Sequence, residues 1–475
     1  MKREFTVGAA WTAAASWTEQ GASAIFFLII ARLIGADAFG VAAMAFAFLF
    51  LGENLVRNTI TEAIVEREKL EDGRLEVTFL ALIFLSLLII IALSVIAHLA
   101  AEFYDEPQVA PLLLVGSPSV IMISAAGVST ALLRRHLAYR SLAIRTILGV
   151  GAGGLVGLFM AMNDFGAWSL VGQRLAQSGT NAIFAIGAAR WRPKRWPKLT
   201  EFSLLNGLGP QVVLLRSIAL VIAQTPTIAL GVFVDAHAVG IYAFAYRIIE
   251  IVLQLVVNPV KTVAQSTLAE MRRRTGGTAQ FFLDLTELSA LAGFAAFVGL
   301  ALIAKPAVDF LMGPEWAGAA TVLSLLSAAG AMMTLTSIQE SYLLAIDCLG
   351  KFVRAAFVEL LLGLVIVGIA CRYGAAAAAG AVALRTLFVA PLSTIAALAP
   401  EKISVARFIR AVVPPALAAL GMALLVGCWR LAMLGRMPDA LFVGSAITLG
   451  VAGVAIILFG LMPTLVTRLR DFIAT

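Results

Sequence analysis

The chain has 475 residues, 61% of them hydrophobic and 13% charged, and a mean hydropathy of +0.96 leaves no room for a soluble domain of appreciable size. A net charge of +7 and a pI near 9.5 do not point to nucleic acid. The basic residues are spread over short loops and the two termini, not gathered in one patch.

Apolar stretches of about 20 residues follow one another along the whole chain, at 8–31, 40–61, 78–100, 109–132, 142–163, 167–189, 204–229, 239–262, 284–304, 318–345, 353–371, 375–398, 408–429 and 440–463. A helix rising 1.5 Å per residue crosses a bilayer core in that length. The runs are continuously apolar and lack the alternation of barrel strands. An all-α polytopic membrane protein with about 14 transmembrane helices is therefore expected. The first span is too long for the core of a cleavable signal peptide and no small-residue cleavage site follows it, so none is expected.

Lysine and arginine are retained on the cytoplasmic side of a membrane, and here they alternate loop by loop. One set of loops carries Lys2 and Arg3, Arg67 to Arg74, Arg134 to Arg140, Arg190 to Lys198, Arg272 to Arg274, Lys351 and Arg354, Lys402 to Arg410, and Arg468 and Arg470. The other set has only Arg32, Lys305, Arg372, Arg430 and Arg436, against Glu102, Asp105, Glu106, Asp235, Asp309 and Glu315. Both termini are expected in the cytoplasm, with an even number of spans.

Cys348, Cys371 and Cys428 are isolated in or beside apolar spans, and His98, His136 and His237 are scattered, without metal-ligand or disulfide spacing. The chain has no phosphate-binding glycine loop before a Lys-Ser or Lys-Thr pair, and no Ser/His/Asp or paired-carboxylate arrangement in a water-facing segment. These features argue against ATP-driven pumping and hydrolytic catalysis; no enzyme, metal site or cofactor is expected, and coupling to H+ or Na+ is left open.

Two segments about 200 residues apart resemble one another. Ala38, Gly40, Ala43 and Ala45 align with Ala238, Gly240, Ala243 and Ala245, and Ile96, Ala97, Glu102 and Phe103 with Ile303, Ala304, Asp309 and Phe310. The matches fall after spans 1 and 7 and after spans 3 and 9, so the halves are parallel repeats of six spans. The Pro-broken basic segment RWRPKRWPKLTE lies between them. The expected layout is an N-terminal six-helix lobe over 1–190, a cytoplasmic linker over 191–202, a second six-helix lobe over 203–400, and two additional helices with a short tail over 401–475.

The segments ARLIGADAFGVAAMAFAF, GIYAFAYRIIEIVLQLVVNPV and FLMGPEWAGAATVLSLLS, in this order along the chain, resemble landmarks of the Wzx-type polysaccharide flippases. These belong to the multidrug/oligosaccharidyl-lipid/polysaccharide exporter (MOP) superfamily, and the likeness is strongest to its colanic acid and exopolysaccharide branch. The resemblance implies a V-shaped pair of lobes, alternating access, a cavity lined by spans 1, 2, 7 and 8, a monomer, and residence in the bacterial inner membrane. It implies as substrate an oligosaccharide repeat unit on a polyprenyl diphosphate, used for exopolysaccharide, capsule or O-antigen synthesis. A polysaccharide polymerase and a chain-length regulator are the candidate protein partners, and no nucleic acid is.

An ionised side chain at the bilayer centre costs about 2.5–3.5 kcal/mol on insertion scales, so such residues rarely face lipid. In span 8, Arg247, Glu250, Gln254, Asn258 and Lys261 recur at helical spacing and fall within about 80° of one another. Thr12, Ser16, Glu19 and Ser23 make a milder stripe in span 1. Glu53 and Arg57 stand at i, i+4 in span 2, and Asn206, Ser217 and Gln224 share a face of span 7 with Arg216 to one side. Arginine offers phosphate a planar fork of donors and keeps its charge in a poorly hydrated site. Arg247, Arg216 and Arg57 are the expected ligands of the diphosphate, Gln254 and Asn258 of the sugar hydroxyls, while Glu19, Glu53 and Glu250 tune those charges or carry a coupling cation.

The plain alternative is that Arg247 with Glu250, and Glu53 with Arg57, are pairs that satisfy each other. Lys261 reads as snorkelling to the interface, Arg174 and Glu340 as ties between helices, and Arg385 as solvated or paired near a span end. Two other functions stay open: a peptidoglycan-precursor (lipid II) flippase, and a cation-coupled multidrug exporter of the same superfamily. The arginines argue against the second.

Overall fold

The computed structural model describes residues 2–59, 73–136, 138–193, 210–275, 278–433 and 437–461. Most of the expected linker, Asn206, and the side chains of Thr12 and Ser16 lie outside the described residues. The described residues are helical almost throughout: α1 (Lys2–Thr59), α2 (Arg74–Tyr104), α3 (Val109–Gly116), α4 (Pro118–Arg135), α5 (Tyr139–Met162), α6 (Trp168–Ala189), α7 (Pro210–Phe233), α8 (Ala236–Thr275), α9 (Ala279–Leu311), α10 (Ala317–Ala345), α11 (Gly350–Leu362), α12 (Ala375–Leu398), α13 (Val405–Met433) and α14 (Asp439–Leu461). No strand occurs among the described residues.

Among the described residues, twelve helical runs are long and apolar enough to cross a membrane. The fourteen expected spans differ from these at two places. Spans 1 and 2 join in one run, Trp17–Arg57, interrupted at Gly35, whose φ of 79° and ψ of 169° belong to a region open essentially to glycine alone. Span 6 forms α6, a 22-residue helix that is not among the twelve apolar ones, because Gln173, Arg174, Gln177 and Asn181 lie within it.

The chain divides into two compact units, Met1–Ala243 and Phe244–Thr475. In the first, α5 packs along α6 and against α1, while α4 lies between α2 and α6. The Gly151–Gly154 cluster makes the close approach its composition suggests: Phe26 of α1 lies against Gly154, and the Gln173 carbonyl of α6 against Gly153. More than half of the best window in Val109–Arg135 is buried, 56% against 22% in Leu75–Tyr104. The α3–α4 pair is thus internal, and α2 presents Phe84, Ile91 and Val95 outward, where lipid is the natural solvent.

In the second unit, α10 is the internal helix, packed on α9 and α12, with Leu323, Leu326, Ile338 and Tyr342 buried. The last two helices pack on α9 through Met422, Val426, Phe442 and Ala446 against Ala295, Val298 and Leu302, and Trp429 Nε1 donates to Ser445 Oγ at 3.0 Å between them. Glu401, between α12 and α13, accepts from the Thr278 N–H at 3.1 Å and from its hydroxyl, capping the start of α9. The span that starts as α11 continues through a π-helical turn, Gly363–Val367.

The internal repeat is visible in burial. Ala97 and Ala304 are both fully buried near the ends of α2 and α9, while Phe103 and Phe310 are both exposed. The first match makes a contact of its own inside unit 1. A Cβ added to Gly40 would overlap the Ala236 carbonyl oxygen, and one added to Gly240 would overlap the Ala36 carbonyl oxygen. Equivalent positions of the repeats therefore meet reciprocally, as across a local two-fold axis, with small residues letting two backbones touch.

Candidate functional site: charges within the spans

On α8, Arg247 Nη1 donates to Glu250 Oε2 at 2.9 Å, with side chains 34% and 39% exposed. The Oε1 of half-buried Gln254 is buried and accepts no hydrogen bond among the described residues, and Asn258 is exposed. Tyr242, Ala245 and Ile249 lie on the opposite side of the helix and are buried, so the polar stripe is the open face of α8 above Lys261. Lys261 itself differs from the sequence expectation. Its Nζ donates to Glu340 Oε2 of α10 at 2.8 Å, with both side chains largely covered; α10 packs too close for the lysine to reach the interface.

In the first unit, Glu19 of α1 is half-buried and interacts electrostatically with Arg145 of α5. Arg145 in turn lies within the field of Arg57 and Arg134, and its Nη1 donates to Thr130 Oγ1 at 3.0 Å. Arg145 thus stands between one glutamate and two further arginines, an arrangement with surplus positive charge and guanidinium forks suited to an anion. Arg57 and Glu19 were legible as intramembrane charges. In the sequence Arg134 reads only as a marker of orientation, and no polar stripe singles out Arg145, although it lies inside span 5. Arg216 is half-buried on α7, beside half-buried Ser217.

Glu53 is placed elsewhere than the i, i+4 spacing suggested. It is 1% exposed and pairs with Arg174 of α6, whose Nε donates to Glu53 Oε1 at 3.0 Å. Ser119 of α4 donates to the same oxygen at 2.6 Å, and the Arg174 guanidinium lies 4.9 Å from the Phe50 ring centroid. This is a clamp across α1, α4 and α6, as expected for Arg174, and Arg57 is left to the cationic cluster. Breaking one side of a buried ion pair strands the other charge and costs about 3–5 kcal/mol. Arg174→Ala is expected to lower the melting temperature of the purified protein far more than Arg57→Ala, whose side chain is exposed; thermal unfolding in detergent measures both.

Arg385 likewise is no span-end charge in water. It is 2% exposed and faces Glu359 of α11, Nη2 to Oε1, at 3.4 Å; α12 carries it into the packed face against α10 and α11.

At the end of unit 1 that the charge pattern assigns to the outer side, a cavity of about 670 Å³ is lined by Asp37, Glu106, Asp164, Asp235 and His237 among others. His237 Nδ1 lies 3.0 Å from Asp37 Oδ1, so the histidine that looked scattered meets its own repeat counterpart. An acidic lining repels phosphate. The positive charge of this unit is gathered instead around Arg145, near the loops that the same pattern assigns to the cytoplasm. Among the described residues no three His, Cys, Asp or Glu side chains gather to hold a metal ion.

A family model described as polysaccharide biosynthesis protein matches residues 29–321, more than half of the chain. The chain belongs to the polysaccharide biosynthesis protein family. Among relatives, it is similar to the succinoglycan biosynthesis transport protein ExoT of Rhizobium meliloti, 24% identical over 321 residues, covering 66% of this chain and 64% of that one. It is similar to the teichuronic acid biosynthesis protein TuaB of Bacillus subtilis, 23% identical over 286 residues, covering 60% and 59%. The lipopolysaccharide biosynthesis protein WzxC of Escherichia coli is 22% identical over 366 residues, covering 72% and 70%. The match thus spans less than two thirds of the length of ExoT and of TuaB.

Among solved structures, this family member is similar to the lipid II flippase MurJ in an inward closed conformation, with a TM-score of 0.78 and 14% identity over 96% of this chain and 100% of that one. It is also similar to an inward-facing multidrug resistance MATE family transporter of the MOP superfamily, with a TM-score of 0.62 and 13% identity over 82% and 99%. At these identities the likeness shows the fold, one shared with the MurJ and MATE structures. The protein is a multi-pass protein of the inner membrane.

Proposed function

We propose that this family member is a flippase that moves polyprenyl-diphosphate-linked oligosaccharide repeat units across the bacterial inner membrane by alternating access, for exopolysaccharide, capsule or O-antigen synthesis. It acts as a transporter and not as an enzyme, and a polysaccharide polymerase and a chain-length regulator use its product. The observation that carries the reading is Arg247. It stays about a third exposed inside an apolar span, where a cation facing lipid is costly, and continues into a face of uncharged hydrogen-bonding groups, Gln254 and Asn258. Charge for a diphosphate followed by amides for sugar hydroxyls suits this substrate. Within the first unit, Arg216 and Arg57, the latter near Arg145, are phosphate ligands whose charge Glu19 moderates, as Glu250 moderates that of Arg247 in the second. Arginines in these positions repel the cationic drugs that a multidrug exporter handles. The relatives, all biosynthesis proteins of surface polysaccharides and one a transport protein, support the same reading.

Deletion in the native host is expected to abolish surface polymer while the lipid-linked repeat unit accumulates on the cytoplasmic leaflet. Unchanged polymer together with a new drug sensitivity would overturn the proposal.

A further inference from the structure

The second unit holds an intramembrane charge group that the proposed substrate contacts leave unused. Arg385 is almost fully buried and faces Glu359 at 3.4 Å. Its Nε and Nη1 are buried and donate to no group among the described residues. Gly363, at the start of the π-helical turn, leaves the room it occupies: a Cβ there would stand 3.1 Å from Nη1. A buried guanidinium with spare donors is an unsatisfied demand for an anion. Turns of this kind inside helices recur at functional sites.

The group is joined to the stripe on α8. Tyr246 interacts electrostatically with Glu250, Arg385 and Glu359 together. It precedes Glu250 by one helical turn and so shares its face. On its other side Glu250 holds Arg247 at 2.9 Å. Two ion pairs with measured geometry, Arg247–Glu250 and Arg385–Glu359, therefore both lie within the electrostatic reach of Tyr246, inside one unit. When an anionic ligand claims the fork of Arg247, Glu250 loses its partner, and because the ligand also covers the open face and keeps water from it, a lone carboxylate there is costly.

We infer that Tyr246 and Arg385 are positioning residues that take over Glu250 when a diphosphate binds Arg247, so that ligand binding is passed on to α11 and α12 as an exchange of ion-pair partners. The inference rests on the reading of Arg247 as a phosphate ligand. In the exchange the Tyr246 hydroxyl and the free donors of Arg385 turn to Glu250, and the pairing of Arg385 with Glu359 loosens. Binding at Arg247 then alters the contact between α11 and α12, the helices that carry Glu359 and Arg385.

The test uses the full chain in liposomes, with undecaprenyl diphosphate as binding probe and its oligosaccharide-linked form as transport substrate. Tyr246→Phe is expected to leave probe affinity within about twofold and to slow translocation about tenfold. Glu250→Gln in the same chain is expected to restore most of that rate, because no carboxylate then needs a new partner; a merely structural role for Tyr246 would not be rescued in this way. Arg385→Gln, where it folds, follows the same pattern. Wild-type translocation by Tyr246→Phe, or a slow rate that Glu250→Gln does not restore, would overturn the relay. Failure of the underlying reading is distinguishable, since it appears as unchanged probe affinity in Arg247→Ala.

Discussion

Arg247→Ala is expected to reduce translocation about 10- to 100-fold, because a hydrogen bond to a charged group is worth roughly 1.5–3 kcal/mol and each 1.4 kcal/mol is a factor of ten. Arg247→Lys should fall between, keeping the charge and losing the planar fork that meets two phosphate oxygens. The partner left behind, Glu250, is 39% exposed, so water can reach it and the fold should survive. That separates this variant from Arg174→Ala, where the stranded Glu53 is sealed. Surface polymer in a host that depends on the protein, read beside the melting temperature of the purified variant, distinguishes loss of ligand from loss of fold. Arg57→Ala and Arg216→Ala should move polymer in the same direction, and wild-type polymer in all three would remove the arginines from the site.

A second large effect is expected from a single methyl group. Gly40→Ala places a carbon into the Ala236 carbonyl oxygen, and Gly240→Ala does the same at the Ala36 carbonyl oxygen. The atoms in the way are backbone, which no rotamer change can move. Overpacking of a core costs about 1–3 kcal/mol where side chains yield, and these helices must separate instead. Each variant should lose stability and most of its transport. The pair should cost less than the sum of the singles, because the first methyl already opens the crossing that the second would strain. Full additivity in thermal unfolding would mean that the two positions do not share one crossing. The His237–Asp37 pair at the same place is 46% and 81% exposed, so Asp37→Asn should change stability by less than about 1 kcal/mol.

The fold class was legible because apolar length is a local signal: twelve runs of helix show it directly. The two departures have local causes as well, a glycine joint that continues the helical run at Gly35 and a helix, α6, polar enough to fall below the apolar mean. The stripe on α8 was legible because helical spacing fixes which residues of one helix share a face. Helical spacing is silent about the neighbouring helix. It offered Glu53 the wrong partner, since the true one, Arg174, stands 121 positions away. It also placed Arg385 at a span end, because nothing local reveals that α12 buries that turn against α11. The repeat was found from Gly40 and Gly240 as a likeness of sequence, and the structure gives it a physical reason: the two glycines are the two sides of one contact.

Intramembrane arginines that recognise a diphosphate should tell it from a monophosphate. Binding of undecaprenyl diphosphate and undecaprenyl monophosphate to the purified protein, compared in wild type and Arg247→Ala, tests this most directly. The diphosphate should bind at least about tenfold more tightly than the monophosphate, and the preference should largely vanish in the variant. Equal affinity for the two lipids in the wild type, or an undiminished preference in Arg247→Ala, would contradict it.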